Sequence, residues 1–383
     1  MKAIRKIFDS IKPHVEEGGK FHAFHSLYDA AETFFFVKEH VTESGSHIRD
    51  GVDMKRTMFV VVIATIPALL FGMWNIGNMH FRSIGQEVAL MQAFWYGFLK
   101  MLPLIIVSYV VGLGIEVAFA QWRGHEVNEG FFVSGMLIPL IVPVTTPLWI
   151  VAVAVAFAVV FGKEVFGGTG MNIMNPALLT RAFIFFAYPS LISGDKVWIM
   201  DKADAFSGAT PLAELTAGHG PGISVMQMLV GDYAGSIGET SFIAIMIGAF
   251  ILLYTGVASW KIMLSFFAGG FAMGLLLNGL SSSFPDNTYL QLPAWEHLLI
   301  GGFAFGGVFM ITDPVTAAQT EKGKWIYGFL GGFIAILVRV LNPAYPEGVM
   351  LSILLLNVFS PLIDFYVIEA NIKKRLKRLK VSA

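Results

Sequence analysis

The sequence predicts an all-α polytopic membrane protein with about ten transmembrane helices. Of its 383 residues 55% are hydrophobic and only 14% are charged, and the mean hydropathy is +0.67. Soluble domains are about one quarter charged, so this composition excludes an ordinary soluble fold. Ten apolar runs, full-length or short, are separated by more polar segments. They are residues 57–77, 99–121, 131–143, 147–162, 173–188, 241–257, 262–280, 297–312, 325–341 and 348–367.

Three of these runs predict broken helices. The third, fourth and fifth runs are shorter than the roughly 20 residues that a spanning helix needs. Short segments interrupted by Pro or Gly are typical of half-helices that line a binding site. The strings VFGGTGMNIMNPALLTR and AFGGVFMITDPVTAAQT each combine a Gly pair with a polar residue and a Pro. They favour two inverted repeats, although chance is an alternative because Gly and Pro are common in membrane helices.

The distribution of Lys and Arg predicts the domain organisation. We divide the chain into a cytoplasmic N-terminal segment (1–56), a transmembrane domain (57–369) and a basic cytoplasmic tail (370–383). The N-terminus lacks the apolar stretch of a signal peptide. An even number of spans puts both termini on one side, and the basic tail marks that side as cytoplasmic. The long loop 189–240 is then extracytoplasmic.

The composition also excludes several kinds of chemistry. The chain has no cysteine, so it cannot build a disulfide, a thiolate metal site or an iron–sulfur cluster by itself. A net charge of −1 gives no reason to expect a nucleic-acid partner. The string GGTGMN lacks the glycine spacing and the preceding strand of a dinucleotide-binding fingerprint.

The string DAFSGATPLAEL, residues 204–215, raises the question of function in the long outer loop. Thr210 followed by Pro211 is a common helix start, and this interpretation needs no function. The same geometry would suit a phosphate, because a helix N-terminus offers free N–H groups and a positive dipole end. Thr210 would then be the attachment point of a phosphate ester. Asp204 would hold a metal ion or orient the hydroxyl.

The motif Asp-x-x-Ser-Gly-Ala-Thr resembles the flavinylation site of a known membrane-protein family. The wider chain is similar to the B subunits of sodium-translocating NADH:quinone oxidoreductases and to the D subunits of the Rnf ferredoxin:NAD reductases. The resemblance covers nearly the whole chain. The strings that match are SHIRDGVDMKR, RGHEVNEGFFVSG, GKEVFGGTGMNIMNPALLTRAFIFFAYP, GGFAFGGVFMITDPVTA and LNPAYPEGVM.

The resemblance implies a covalent FMN on Thr210, attached outside the cytoplasm by a dedicated transferase. Asp204, Ser207, Gly208 and Ala209 match the part of the motif that the transferase recognises. Ala205 stands where the family pattern often has Gly. The family also binds riboflavin non-covalently in the corresponding chain. Electrons are expected to pass from the FMN of a neighbouring chain through these flavins to a quinone.

The resemblance also implies an assembly. The family's fold is like that of urea transporters, with two inverted five-helix repeats. The expected partners are the five other polypeptides (A, C, D, E and F) of a six-subunit complex in the bacterial inner membrane, together with quinone, sodium ion and membrane lipid. The flavin loop is expected in the periplasm. The chain would not be active alone, because NADH oxidation and the iron–sulfur cluster must come from the partners.

The family's quinone and inhibitor region maps near Gly112 and Glu116, and to the N-terminal segment with Phe34, Phe35 and Phe36. Gly112 has a second interpretation as a site of close helix packing. The three Phe residues have a second interpretation as an anchor at the membrane interface.

Four acidic residues in the apolar part are candidates for sodium uptake or relay, because charges in a membrane are costly and usually functional. They are Glu116, Glu164, Asp313 and Asp364. Other interpretations remain open: Asp313 precedes Pro314 and caps a half-helix, and Glu164 forms a surface pair with Lys163. Asn175 and Arg181 are expected to serve the broken helix, or an anionic or flavin group.

Three rival functions remain open on these patterns. A small-solute channel without redox chemistry would also use broken helices and inverted repeats, but it has no use for the SGAT loop. A membrane scaffold would bind partner chains and no flavin. An Rnf-type protein would serve ferredoxin and NAD instead of quinone.

Overall fold

The computed structural model describes most of the chain. The described residues are 2–15, 54–124, 130–191, 197–201, 208–342 and 348–381, with 21, 25, 28, 32–33, 35–36 and 45 in the N-terminal segment. Over these residues the regular secondary structure is entirely helical. The α-helices are α1 (Lys2–Val15), α2 (Met54–Ser83), α3 (Leu90–Arg123), α4 (Phe131–Ile141), α5 (Leu148–Gly162), α6 (Pro176–Ala187), α7 (Pro211–Thr216), α8 (Val225–Val230), α9 (Phe242–Tyr254), α10 (Trp260–Leu280), α11 (Thr288–Gln291), α12 (Glu296–Leu299), α13 (Phe303–Phe305), α14 (Glu321–Leu341) and α15 (Val349–Val381).

Turns of 3₁₀ or π type extend several of these helices. A π-helical turn, Gly306–Met310, continues α13. The 3₁₀ turns are Glu164–Phe166, Pro189–Leu191 and Ser281–Ser283.

The apolar composition is confirmed as that of a membrane protein. Among the described residues, six helical segments are long and apolar enough to cross a bilayer alone. They are Met54–Ser83, Leu90–Arg123, Leu148–Phe166, Trp260–Ser283, Glu321–Leu341 and Val349–Arg378. The fourth apolar run, expected to be short, is therefore long enough to span, because the 3₁₀ turn after α5 lengthens it.

The other four apolar runs form shorter elements. Helices α4, α6 and α9 have 11, 12 and 13 residues, which is too few to cross a bilayer of ordinary thickness. The eighth run is split into α12, α13 and the π-helical turn. Turns of this kind interrupt a helix where its backbone must deviate for a close contact or a site.

Small residues hold the long helices together in pairs. A Cβ added to Gly97 in α3 would lie 1.8 Å from the Met73 carbonyl oxygen of α2. A Cβ added to Gly332 in α14 would lie 1.8 Å from the Phe266 carbonyl oxygen of α10. Backbone contact at this distance is possible only for glycine, and it is the usual way in which helices associate where no water drives them together. Each half of the bundle therefore contains one pair of helices in backbone contact.

Helices α4 and α13, one from each half of the chain, meet beside the loop that precedes α9. The backbone N–H of Gly238 donates to the Leu140 carbonyl of α4 at 2.8 Å. A Cβ on Gly238 would lie 2.8 Å from Leu140 and 3.0 Å from the Phe305 ring of α13. This convergence joins the two halves of the chain and positions the sites described below.

Candidate functional site

Thr210 lies at the start of α7, as its helix-start interpretation predicts. Its backbone is extended (φ −77°, ψ 158°), and its Oγ1 accepts a hydrogen bond from the backbone N–H of Ala213 at 3.2 Å. Pro211 occupies the first helical position. Helix α7 has only six residues, so its dipole contributes less to phosphate binding than a longer helix would. Thr210 is half-buried, and it borders a small cavity.

The cavity beside Thr210, called here the outer cavity, holds a polar group that lacks a partner. Thr240 is 2% exposed, and its Oγ1 has no hydrogen-bond partner among the described residues. A buried hydroxyl without a partner is costly, which indicates that something else satisfies it in the working protein. About 320 Å³ of space, including the part open to solvent, lies between the residues of this cavity: Trp198, Thr210, Pro211, Leu212, Tyr233, Ala234, Gly235, Ser236, Glu239, Thr240 and Gly301.

A buried ion pair contributes one of its members to the wall of the outer cavity. Arg181 of α6 donates from Nη1 to Glu239 Oε1 at 2.7 Å, and both side chains are buried. Glu239 lines the cavity. The sequence predicts that Arg181 serves the broken helix or an anionic group. The structure joins it to Glu239, which the sequence interpretation did not single out.

The segment that precedes the SGAT motif is attached to the bundle. Asp201 accepts hydrogen bonds from Lys100 Nζ at 2.9 Å and from the Tyr96 hydroxyl at 3.1 Å. These two hydrogen bonds hold the pKa of Asp201 below its usual range, with Lys100 the larger cause. Asp201 has a left-handed backbone (φ 51°), which aspartate tolerates better than most residues. Trp198, three residues earlier, lies in the wall of the outer cavity.

The remaining motif residues are only partly described. Gly208 is buried and Ala209 is half-buried beside Thr210. Asp204 and Ser207 lie outside the described residues. Their roles in transferase recognition therefore stay predictions.

A second, larger cavity, called here the inner cavity, lies between the two halves of the bundle. The side-chain amide of Asn175 donates to Asp313 Oδ2 at 3.2 Å in its wall. About 730 Å³ of space, including its mouth open to solvent, lies within it. The polar residues in its wall are Thr57, Ser134, Lys163, Thr169, Asn172, Asn175, Thr312 and Asp313, and apolar side chains such as Val61, Leu137, Leu252 and Phe309 form the rest.

Glu116 and Glu164 are both buried in ion pairs, although with partners that the sequence did not indicate. Glu116 of α3 pairs with Lys163, and their side chains are 4% and 3% exposed. Glu164 pairs with Arg123 at 3.2 Å and is itself 5% exposed. The alternative of a surface pair between Glu164 and Lys163 is therefore wrong. Both partners lie on α3, seven residues or about two turns apart, so the two neighbouring side chains pair with different positions of the same helix.

Asp313 and Asp364 both cap backbone turns. Asp313 Oδ1 accepts from the Val315 N–H at 3.1 Å. It therefore caps a turn, and not the half-helix that the sequence interpretation expected, because the next helix begins only at Glu321. Asp364 accepts from the backbone N–H groups of Gln319 at 2.7 Å and Thr320 at 3.0 Å, which lead into α14. Among the described residues, no group of three or more His, Asp or Glu side chains could hold a metal ion. A sodium role for any of the four acidic residues stays a prediction.

Gly112 is a packing contact in this structure. A Cβ there would lie 2.0 Å from the ring of Phe131 in α4, whereas a Cβ on Gly114 would meet nothing within 4 Å in the described part of the chain. In the N-terminal segment, the rings of Phe35 and Phe36 lie 6.0 and 5.9 Å from that of Phe8 in α1. Phe34 lies outside the described residues. The quinone interpretation of these residues is not tested by the contacts.

Sequence reasoning missed Lys163, Glu239 and Thr240. Lys163 follows an apolar run, where a lysine usually marks a helix end near water. Glu239 and Thr240 stand in an ordinary loop string before α9. Their burial arises from contacts between distant parts of the chain, so no local pattern distinguishes them.

Comparison with known proteins gives consistent relatives. A family described as "NQR2, RnfD, RnfE family" matches residues 41–373. A protein of Chromohalobacter salexigens, named as the B subunit of Na(+)-translocating NADH-quinone reductase, is 46% identical, with 98% of this chain and 96% of the relative covered. Proteins of the same name from Ectopseudomonas mendocina and Pseudomonas aeruginosa are 45% and 44% identical, each with 98% of this chain and 99% of the relative covered.

Proposed function

The chain belongs to the NQR2, RnfD and RnfE family, and from this premise we propose that it is the membrane-embedded B subunit of a sodium-translocating NADH-quinone reductase. The similar proteins from three genera all bear that name, and each is matched over nearly its whole length. This agreement favours the quinone-reducing complex over an Rnf-type complex. The complex would contain polypeptides A, C, D, E and F as partners, with quinone and sodium ion as substrates.

We propose that FMN is bound to this chain by a phosphoester to Thr210 Oγ1. Three observations support it: the SGAT motif, the half-buried hydroxyl at the edge of the outer cavity, and the unpartnered Thr240 hydroxyl within that cavity. When bound, FMN would supply one-electron transfer between the partner chains and the membrane. The residues of the chain would anchor the phosphate at Thr210, donate a hydrogen bond from Thr240 and exclude water with Trp198 and Pro211.

We further propose that the inner cavity holds the non-covalent riboflavin. Its apolar wall would cover the faces of a flat ring, and its amide and hydroxyl groups would satisfy the polar edge and the ribityl chain. Asn172 donates to the Met174 carbonyl and Asn175 donates to Asp313, and because an amide nitrogen carries two N–H groups, each keeps one for a flavin. Both are more than nine-tenths buried.

The proposed architecture has ten membrane segments in two inverted five-helix repeats. A match in a different register, which replaces the one between the two Gly-pair strings, supports it. The string Pro-Val-Thr occurs at 143–145 and 314–316, each time after an interrupted helix, and the string Asn-Pro-Ala follows at 175–177 and 342–344. We place both termini in the cytoplasm and the loop with Thr210 in the periplasm, following the basic residues. Residues 1–56 and 370–383 would then be the cytoplasmic ends.

The experiment that tests this function replaces Thr210 in the assembled complex. Thr210→Val keeps the shape of the side chain and removes its hydroxyl, and we expect loss of one covalent FMN and of quinone reduction. NADH oxidation by the partner chains with an artificial acceptor should survive. Thr210→Ser is the matched control, because it retains a hydroxyl at the same position and should retain part of the FMN.

Mass spectrometry of the intact chain and denaturing gel fluorescence would measure the attachment. Full quinone reductase activity in Thr210→Val would contradict the assigned role. A wild-type band without flavin fluorescence would instead favour a small-solute channel or a scaffold.

A further inference from the structure

Lys163 both lines the inner cavity and pairs with a buried carboxylate. It is the residue that follows α5, its side chain is 3% exposed, and it lines the inner cavity. Its ammonium also pairs with Glu116 of α3. Glu116 is not among the residues that line the cavity. Lys163 therefore links the wall of the cavity to a carboxylate that does not line it.

Burying the Lys163–Glu116 ion pair costs desolvation free energy. Two charges removed from water seldom stabilise a fold more than an apolar pair of similar volume would. Ionisable groups inside a membrane bundle are for the same reason most often functional. Among the polar residues in the wall of the inner cavity, Lys163 is a cation, Asp313 an anion, and the others are neutral amides and hydroxyls.

Asp313 already accepts several hydrogen bonds. Its carboxylate accepts from Asn175 Nδ2, from the Val315 N–H and from the Thr316 hydroxyl, each at 3.1–3.2 Å. Lys163 pairs with Glu116, and an ammonium carries three N–H donors, so N–H donors remain for a group in the cavity.

We propose that Lys163 is the positioning residue for the ring of the flavin in the inner cavity, and that Glu116 sets how strongly the ring experiences its charge. This inference rests on the proposed riboflavin in that cavity. The pyrimidine edge of a flavin ring gains negative charge on reduction, so it is the part that an ammonium group attracts. A cation beside that edge stabilises the reduced form and raises the midpoint potential of the flavin, whereas an anion behind the cation weakens this effect.

The two members of the pair can be tested because they should act in opposite directions. In the purified complex, Lys163→Met removes the cation and should shift the riboflavin midpoint potential to a more negative value. Glu116→Gln removes the opposing anion and should shift it to a more positive value. Lys163→Arg keeps the charge and should leave the potential near that of the wild type. Glu321→Gln breaks an exposed ion pair that does not line the cavity, and it serves as the control.

The measurements are riboflavin content and midpoint potential. Riboflavin is extracted with acid and identified by its mass, which separates it from covalent FMN. A structural role for the pair predicts that both variants lose stability and that neither changes the potential of the flavin that remains. Shifts in the same direction, or no shift in Glu116→Gln at wild-type riboflavin content, would overturn the inference.

Two further outcomes are a variant that fails to assemble and a complex that lacks riboflavin. If Lys163→Met does not assemble, Glu116→Gln and Lys163→Arg still test the sign of the effect and the need for charge. A wild-type complex without extractable riboflavin would refute the flavin in the cavity. That result concerns the proposed function and differs from riboflavin that is present but insensitive to both substitutions.

Discussion

Asn175 and Asp313 are 138 residues apart in sequence and joined by a hydrogen bond of 3.2 Å. They lie in different halves of the chain. Each side chain also accepts a hydrogen bond from the backbone N–H two residues further along. Asn175 Oδ1 accepts from the Ala177 N–H at 2.9 Å at the start of α6. Asp313 accepts from the Val315 N–H. The same two side chains therefore order their local turns and connect the two halves at the wall of the inner cavity.

The connection between Asn175 and Asp313 should be measurable as a coupling energy. Asn175→Ala removes both the cap and the amide donor, and loss of the cap alone should cost about 1 kcal/mol. Asn175→Ser retains an oxygen that can cap α6, but it lacks the amide N–H that donates to Asp313. A double-mutant cycle with Asp313→Ala, followed by denaturant unfolding in detergent, should give a coupling of about 0.5–3 kcal/mol. Additive effects of the two substitutions would contradict a direct contact.

Gly112 should be intolerant of a larger side chain because of Phe131. The Cβ of Gly112→Ala would overlap the Phe131 ring, and overpacking in a closed core costs about 1–3 kcal/mol. Gly114→Ala is the matched control, with open space at its Cβ. We expect a lower thermal midpoint for the first variant only. Adding Phe131→Leu to Gly112→Ala should restore it.

This comparison also separates the two interpretations of Gly112. If the thermal midpoint of Gly112→Ala equals that of the wild type while its KM for quinone rises, the residue contacts quinone. In that case close helix packing is not its main role.

The effect of Thr240→Val on stability should have opposite signs in the protein without FMN and in the protein with FMN attached. Thr240→Val removes a buried hydroxyl that has no partner among the described residues, so it should stabilise the bare chain by about 1 kcal/mol. The bare chain is obtained with Thr210→Val. With FMN attached, the same substitution should destabilise, because a hydrogen bond to the flavin phosphate or ribityl chain is lost. Thermal midpoints of the four variants test this, and equal shifts in both backgrounds would exclude the contact.

Asp201 should keep residues 197–201 ordered down to low pH. Its pKa is below the ordinary aspartate value because Lys100 and Tyr96 favour the charged carboxylate. A depressed pKa gives stability that is complete above about pH 4 and is lost only as the pH falls through the lower value in the folded protein. Hydrogen exchange of residues 197–201, corrected for its intrinsic rate, should therefore stay slow from about pH 7 to about pH 4.

The matched variant for this prediction is Asp201→Asn. Asparagine tolerates the same left-handed backbone, so the substitution changes charge without adding strain. We expect faster exchange already at neutral pH and no acid transition. Slow exchange in Asp201→Asn at neutral pH would show that the ion pair with Lys100 does not order the segment.

Composition and local patterns determined much of this protein from sequence. Apolar runs predicted the helices because the bilayer demands internally satisfied backbone, and that demand depends on local composition alone. Thr210 with Pro211 predicted the start of α7, since a cap is a contact between residues three apart. The SGAT motif and the long matching strings predicted the family, which the comparisons confirm.

Tertiary structure decided which charges meet. Lys163 and Glu164 are neighbours in sequence, yet one pairs with Glu116 and the other with Arg123. The sequence left Gly112 open between helix packing and a quinone contact, and only the position of Phe131 on another helix shows what a Cβ would meet. Partners of buried polar groups come from distant segments brought together by close helix packing, and nothing in a short stretch of sequence encodes which segment arrives. The inner cavity and the unpartnered hydroxyl of Thr240 were for this reason visible only in the folded chain.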